Sequence, residues 1–303
     1  MLLKSRLWWC GGALTMALLI AYWTLNSQES AIALSQRSPE PVAQFSKQTA
    51  QLGTLKAIDH ADVLAAIASS QVVYLAETHN DPADHAAQLA IIQEMDKQGN
   101  IAIGLEMFQR PFQSVLDAYL AGEITEDTLI AESEYETRWG FDWEFYAPIL
   151  RYAKANQIPL LALNTPAEIT RKVAVSGLES LEGDELTHIP PVSDIYIGDS
   201  EYEASIREVF SAHGGMGHSL SFDNFFAAQV LWDETMAERV AQSIESEPDR
   251  QVIVLAGEAH ILYGYGIPSR VARRVPQINQ ASVLLVPEAE TAEATDFVWV
   301  TAD

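Results

Sequence analysis

The sequence contains a single cysteine, Cys10, among 303 residues. The rest of the chain therefore has no internal disulfide, no cysteine-based zinc site and no catalytic thiol. Basic residues are scarce as well, with 18 lysines and arginines against 42 aspartates and glutamates, a formal net charge of −24. A surface of that sign repels phosphate backbones, so we do not expect the protein to bind nucleic acid.

The motifs of several large enzyme classes are also missing. The chain has no Gly-x-Ser-x-Gly elbow, no glycine-rich phosphate loop with lysine, no Gly-x-Gly-x-x-Gly and no His-Glu-x-x-His. These absences argue against serine hydrolases with that elbow, P-loop nucleotide hydrolases, dinucleotide enzymes and zinc peptidases of that pattern. Apolar residues make up 48% of the chain, and its length is ample for a buried core, so we expect a folded protein.

The amino terminus has the features of an export or anchoring segment. Lys4 and Arg6 precede an uncharged apolar run at 7–25, which is long enough to cross a bilayer as a helix. The sequence Ala-Ile-Ala that ends at Ala33 also fits a signal-peptide cleavage site. Residues 1–33 are thus predicted as a signal peptide or a retained membrane anchor. Both alternatives place the rest of the protein outside the cytoplasm, in the periplasm or an equivalent compartment.

The remainder divides into a tether and one folded domain. Residues 34–56 are rich in Ser, Gln and Ala and predict a flexible tether, and residues 57–303 predict an α/β domain. Apolar segments alternate with helical ones, which indicates a mostly parallel sheet with helices on both faces. Two long helical stretches, at about 111–157 and 167–248, predict a helical subdomain over one end of the sheet. The predicted strands are 72–76, 101–108, 158–166, 251–260, 281–289 and 296–302, the last as an edge strand.

A Glu-x-His sequence follows a strand twice, as Glu77 and His79 and again as Glu258 and His260. In extended backbone, positions i and i+2 point the same way, so each pair is expected to converge. Ligands of open α/β sheets bind beyond the carboxyl ends of strands, where Glu106 and Asn164 are also expected. One Glu-x-His alone is more often a cap with a hydrogen-bonded histidine. Two copies together with Glu106 favour a shared site for a divalent metal or for acid/base chemistry. The predicted metal set is Glu77, His79, Glu106, Glu258 and His260.

Two glycine-rich segments are further candidates. Tyr263 and Tyr265 stand between glycines that would let the backbone approach a flat ligand, and tyrosinate is a known ligand of haem iron. The plain alternative is a turn with two packed aromatic rings. His213 and His218 lie in the segment 211–221, which is predicted as a ligand-binding flap or as an ordinary exposed loop.

Five ordered blocks of the sequence resemble one known family. They are "YLAETHND", "LEMFQRPFQSVLDAYLAGEIT", "RWGFDWEFYAPILRYAKANQIPLLALN", "NFFAAQVLWDETMAERV" and "LAGEAHILYGYGIPSR". Together they look like the ChaN-like haem-binding uptake family, which is part of the wider Tiki, TraB and erythromycin-esterase grouping. The resemblance extends over roughly residues 55–290 and implies an exported α/β domain with a helical subdomain.

The resemblance also implies a function. The best-known members of the family bind haem, with a dimer that holds two stacked haems, and they are linked to iron acquisition. The wider grouping includes metal-dependent proteases and an antibiotic esterase. Its paired motifs fall on Glu77 and His79 and on Glu258 and His260, and Glu106 matches its acidic block. Ala76 replaces the usual glycine before Glu77, and the bulky residues before Cys10 do not form a lipobox, which disfavours a lipid anchor.

Two functions remain open on this basis, besides a plain interaction module. The favoured one is an exported haem-binding protein for iron uptake or handling, with Tyr263, Tyr265, His213 and His218 as cofactor-binding candidates. It would form a homodimer and associate with a membrane through its N-terminal segment. The alternative is a metal-dependent protease or esterase, with a metal-activated water at four catalytic residues. These residues are Glu77, His79, Glu106 and His260.

Overall fold

The structure is a computed structural model that describes residues 59–212, 221–287 and 294–301. The predicted N-terminal export segment lies outside these ranges, as do His213 and His218. In the part of the chain that is described, no helix is long and apolar enough to cross a membrane.

The described residues form a six-stranded sheet. Its order is β3-β2-β4-β1-β5-β6, and all five strand pairings are parallel. The prediction of a mostly parallel sheet with helices is therefore confirmed, and β6 is an edge strand as expected. The strands are β1 (Val72–Glu77), β2 (Ile101–Gln109), β3 (Leu160–Asn164), β4 (Gln251–Gly257), β5 (Gln280–Val286) and β6 (Phe297–Val300).

Ten α-helices connect or flank the strands in the described ranges. They are α1 (His60–Ile67), α2 (Pro82–Asp96), α3 (Gln113–Ala121), α4 (Glu126–Glu132), α5 (Tyr135–Arg138), α6 (Trp143–Asn156), α7 (Ala167–Ser176), α8 (Ser200–Ala212), α9 (Phe222–Ser246) and α10 (Ile267–Arg274). The start of helix α2 illustrates how the sequence begins a helix. The side chain of Asp81 accepts a hydrogen bond from the Ala83 N–H, and Pro82 occupies the first turn, where proline is favourable.

The central strand β1 shows how the sheet separates two apolar cores. Successive side chains of a strand point to opposite faces. Val73 and Leu75 belong to a core shared with α1, α2, α3 and α6, whereas Tyr74 and Ala76 belong to one shared with α9 and α10. All six residues of β1 are buried, as expected for a central parallel strand with both faces covered.

The two predicted helical stretches contact opposite faces of this sheet. Helices α3 to α6 contribute to the core on the Leu75 side. On the other side, α9 contributes to the core behind Tyr74, and α7 and α8 pack against α9 in two smaller clusters. The carboxyl ends of β1, β2 and β4 thus have helices on both sides.

Candidate functional site

Glu77 is the last residue of β1 and is almost fully buried. It follows the alternation of Val73 and Leu75 and therefore points towards α2 and α6. Its Oε1 accepts hydrogen bonds from His79 Nδ1 at 2.7 Å and from the Tyr146 hydroxyl at 2.5 Å, and Gln88 Nε2 donates to Oε2 at 2.5 Å. Burial acts to raise the pKa of Glu77, but the hydrogen bonds from His79 and Gln88 and the charges of His85 and His79 lower it to about 2. The side chain is thus a fixed carboxylate.

His79 is held in one orientation by its surroundings. Nδ1 is bound to Glu77, and the ring packs against Trp139 with a centroid distance of 4.7 Å and against Phe141 at 5.1 Å. His85 fixes the backbone at this point, because its Nε2 lies 3.1 Å from the backbone oxygen of His79. Burial lowers the pKa of His79, but the charges of Glu106 and Glu77 outweigh burial and raise it above the ordinary value.

Gly257 at the end of β4 makes room for the His79 ring. A Cβ atom at this position would lie 2.8 Å from both Cε1 and Nε2 of His79, closer than van der Waals contact permits. The Gly257 N–H donates to Oε2 of Glu106 at 2.7 Å. Glu106 in β2 points away from the Leu105 face, and Asn164 of β3 fixes its backbone through a 2.7 Å bond from Nδ2 to the Glu106 oxygen.

His260 forms a second histidine–carboxylate pair on the other side of the sheet. Its Nδ1 lies 2.6 Å from Oδ1 of Asp233 in α9, and Oδ2 of Asp233 accepts from the Tyr202 hydroxyl at 2.6 Å. Nε2 of His260 is 3.5 Å from Oε1 of Glu106. Burial lowers the pKa of His260, but the charges of Glu106 and Asp233 outweigh burial and raise it to about 9.

The two pairs meet at one buried carboxylate. Each imidazole has its Nδ1 held by an acid, Glu77 or Asp233, and each lies beside Glu106. The histidines are 4% and 6% exposed, so the set is nearly closed to solvent. Such paired histidines can take up and release protons, which is the chemistry of general acid/base catalysis.

The structure brings four of the predicted residues together: Glu77, His79, Glu106 and His260. Strand β4 ends at Gly257, and residues 258–260 form a 3₁₀ turn, so the extended backbone on which the expected Glu258–His260 convergence rested is absent. The carboxylate bound to Nδ1 of His260 is that of Asp233. In the described ranges, no group of three or more His, Cys, Asp or Glu side chains could hold a metal ion. The five-residue metal set, and the metal-dependent hydrolase built on it, are therefore not supported.

Asp84 holds the loop that joins β1 to α2. Asp81 caps α2, whereas Oδ2 of Asp84 accepts from the Thr78 N–H at 2.8 Å and so fixes the loop between Glu77 and His79. Burial raises the pKa of Asp84 to about 8, against the effect of that hydrogen bond. Burial therefore favours the protonated form of Asp84 at this strand end.

Tyr263 and Tyr265 occupy a turn between His260 and helix α10. Their rings stack with centroids 5.7 Å apart, and both side chains are partly exposed. Tyr263 adopts φ +57°, the left-handed region that non-glycine residues rarely occupy, and Gly264 follows at φ +70°. The Tyr265 hydroxyl donates to Glu201 at 3.4 Å, and burial, with Glu201, raises its pKa to about 12. Tyr265 also packs against Tyr202, which bonds to Asp233.

Several residues that hold the site were not predicted from sequence. Asp233 is the main one, because the sequence around it was considered only for its family resemblance and for its place in a long helical stretch. Asp233 and Glu234 are both fully buried, among Val230, Leu231 and Ala237 on the same helix. The sequence did contain a signal for this role, because two adjacent acids stand within the apolar part of the helix. Buried carboxylates need hydrogen-bond or charged partners, so such a pair indicates a polar site. The others are Gln88, Tyr146 and Tyr202.

These features define a class of protein: a parallel α/β sheet whose strand ends carry histidine–carboxylate pairs beneath flanking helices. The family model described as "Haem-binding uptake, Tiki superfamily, ChaN" matches residues 63–271. The chain belongs to this family, and the resemblance noted in the sequence is confirmed.

Individual proteins resemble the chain at lower levels. A structure described as cofacial haem binding to ChaN of Campylobacter jejuni aligns with a TM-score of 0.63 and 17% identity, and covers 80% of this chain and 91% of that chain. An erythromycin esterase mutant in its open conformation aligns with a TM-score of 0.44 and 14% identity, over 75% of this chain and 72% of that chain. At this identity the ChaN structure shows a similarity of fold alone.

A curated plant protein is also similar in sequence. Protein RETICULATA-RELATED 5, chloroplastic, of Arabidopsis thaliana is 26% identical over 257 residues, which cover 77% of this chain. The match spans 34% of that protein, so the chain corresponds to about a third of its length.

Proposed function

We propose that this protein binds haem and takes part in haem or iron handling. The observation that carries the proposal is the family-model match over residues 63–271, which includes the turn with Tyr263 and Tyr265. The similar fold of a ChaN structure described as binding haem cofacially supports it.

The chemistry of the turn fits an iron porphyrin. Phenol oxygens are ligands of ferric haem, and the partly exposed rings of Tyr263 and Tyr265 lie beside glycines, where a flat ring system could approach the backbone. When bound, haem would supply redox and ligand-binding chemistry at its iron. The two tyrosines, together with His213 and His218, are the residues that would hold it.

Tyr263 is the first candidate ligand among these residues. Its left-handed backbone conformation at φ +57° is costly for a tyrosine, and such strain is often retained where a side chain must be aimed at a ligand. Ligation by Tyr265 would require the loss of its bond to Glu201 and of a proton from a phenol with a pKa of about 12.

A haem titration of the purified full chain tests the proposal. We expect a saturable Soret shift in the low micromolar range, with a spectrum of tyrosinate ligation that Tyr263→Phe changes. Tyr265→Phe should have a smaller effect. Tyr196→Phe is the matched control, because Tyr196 is a 54% exposed tyrosine on a different segment. Absence of saturable binding by the wild-type protein would refute the proposal.

We further propose that the protein acts outside the cytoplasm and assembles as a dimer on haem. The support for export is the apolar run at 7–25 behind Lys4 and Arg6. Fractionation of cells that produce the full chain should find it in the membrane, or in the exported fraction with Leu34 as the first residue. Recovery of the full-length chain from the cytosol would contradict export.

Light scattering with and without haem tests the proposed dimer. A monomer mass that does not change when haem is added would exclude it.

A further inference from the structure

Five of the chain's few basic residues gather along one side of α9. They surround two carboxylates of that helix, Glu234 and Glu238, which lie one turn apart. This group, called the arginine cluster below, stands out in a chain with a net charge of −24. Its members are Arg110, Arg239, Arg270, Arg273 and Arg274.

The inner half of the arginine cluster is built around one acid. Glu234 is fully buried and pairs with Arg273 at 2.6 Å and with Arg274 at 2.6 Å. Arg270 approaches the same carboxylate at 3.5 Å, and its Nη1 also donates to the backbone oxygen of Gly266 at 2.9 Å. One carboxylate therefore serves three guanidinium groups.

The outer half lies around Glu238, one turn further along α9. Arg110 donates to Glu238 at 2.7 Å and to the backbone oxygen of Thr235, and Arg239 donates to the Gln113 side chain at 3.2 Å. Burial lowers the pKa of Arg110, and the positive charges of Arg239 and Arg274 lower it further. The carboxylate of Glu238 acts in the opposite direction and raises the pKa. The two halves are thus close enough to interact electrostatically.

Five guanidinium groups and two carboxylates leave an excess of positive charge in a half-buried position. Nε of Arg110 and Nη2 of Arg274 are buried and have no hydrogen-bond acceptor among the described residues. Unpaired charges and unsatisfied donors away from water are costly, and a bound anion would remove both costs. Guanidinium groups are also well suited to recognise oxyanions through paired hydrogen bonds.

We propose that the arginine cluster is a binding site for a small oxyanion, a phosphate or carboxylate group, held between Arg110 and Arg274. The two side chains are 14% and 15% exposed, so each keeps a small part in contact with solvent. The proposed anion ligands, Arg110 and Arg274, are not among the residues considered for haem, although Arg270 of the cluster donates to the backbone oxygen of Tyr265. Anion titration in the absence of haem therefore tests this site separately from the proposed haem function.

Calorimetric titration of the full chain with inorganic phosphate, and separately with acetate, tests the site at constant ionic strength. We expect saturable binding of at least one of the two anions, and their relative affinity assigns the ligand to the phosphate or the carboxylate class. Arg110→Gln and Arg274→Gln should each weaken binding about tenfold, as expected for the loss of a charged hydrogen bond. Arg151→Gln is the matched control, because Arg151 is 49% exposed and paired with Glu126 on another face of the molecule.

A variant with the opposite effect separates anion binding from simple structural damage. Glu238→Gln removes a competing carboxylate and should tighten binding, whereas a cluster that only stabilises the fold would give no such gain. Arg110→Lys keeps the positive charge but lacks the paired donors of a guanidinium group. It replaces Arg274→Gln as the test of binding if that variant does not fold. Circular dichroism shows whether each variant is folded. The proposal fails if neither anion binds the wild-type protein, or if Arg110→Gln, Arg110→Lys and Glu238→Gln all leave the affinity unchanged.

Discussion

The absent side chain of Gly257 determines where His79 lies. We expect Gly257→Ala to lower the free energy of unfolding by about 1–3 kcal/mol, because the new methyl group would overlap an imidazole that Glu77 holds in place. Urea unfolding measures this loss, and histidine NMR reports the displaced ring. Gly104→Ala is the control in a neighbouring buried strand, where the added atom meets the flexible end of Leu163 at 2.9 Å. The steric argument would be contradicted if Gly257→Ala and Gly104→Ala lowered the free energy of unfolding equally and the His79 signal moved in neither variant.

Asp233 is the residue that sets the charge of the second histidine. Asp233→Asn keeps the shape but removes one of the two charges that raise the pKa of His260 to about 9. We expect the NMR titration midpoint of His260 to fall by about one pH unit or more. Because the folded pKa lies above the ordinary 6.5, the charged ring stabilises the protein below pH 6.5, and this contribution disappears as the pH rises through 9. The variant should show a smaller pH dependence, because Glu106 still raises the pKa of His260.

Asp223→Asn provides the comparison for this experiment. Asp223 lies on the same helix α9 but at its first turn, away from the buried part of the helix. The His260 midpoint should be the same in this variant as in the wild-type protein. A midpoint that also stays at its wild-type value in Asp233→Asn would show that Glu106 alone maintains the raised pKa.

At the level of elements, the strands could be predicted because central parallel strands are apolar on both faces. The ends of β1 and β2 followed from the same pattern to within one residue. The end of β4 did not, because the apolar pattern does not show whether residues 258–260 continue the extended backbone or form the observed 3₁₀ turn. Asp233 is far from His260 in sequence, and only the packing of α9 on the sheet brings them together.

The start of α2 contains an acid that should make stability depend on pH. The folded pKa of Asp84, about 8, lies above its ordinary 3.8, so the folded state keeps a proton that the unfolded chain releases. Its contribution is greatest below pH 4 and declines as the pH rises through 8. Asp84→Asn cannot ionise and avoids this decline. We expect its free energy of unfolding at pH 8 to exceed that of the wild type by a few kcal/mol, since a tenfold difference in proton affinity corresponds to about 1.4 kcal/mol.

Urea unfolding between pH 4 and pH 8 measures this difference. Asp81→Asn is the matched variant, because Asp81 caps the same helix and asparagine is an equally good N-cap. It should follow the wild-type curve. Parallel curves for Asp84→Asn and the wild type would mean that Asp84 is ionised in the folded protein.

At the scale of the whole molecule, the two ends of the described domain are joined. His60 in α1 stacks on Trp299 in β6 with a centroid distance of 3.7 Å, and its Nε2 lies 3.0 Å from the backbone oxygen of Val300. The family match ends at residue 271, yet β5 pairs with the central β1, and β6 pairs with β5. The fold therefore requires strands beyond the matched region, and the first helix and last strand should unfold together.

Trp299→Ala tests this coupling, since it removes a buried ring that touches both ends of the domain. We expect a loss of about 3–5 kcal/mol in the free energy of unfolding and faster hydrogen exchange in both α1 and β6. Val298→Ala is the control in the same strand, because Val298 is only partly buried and pairs with Leu284 instead. Faster exchange in β6 with unchanged exchange in α1 would show that the ends unfold separately. Joint loss of protection would establish that the cooperative unit extends from α1 to β6, with the two histidine pairs at its centre.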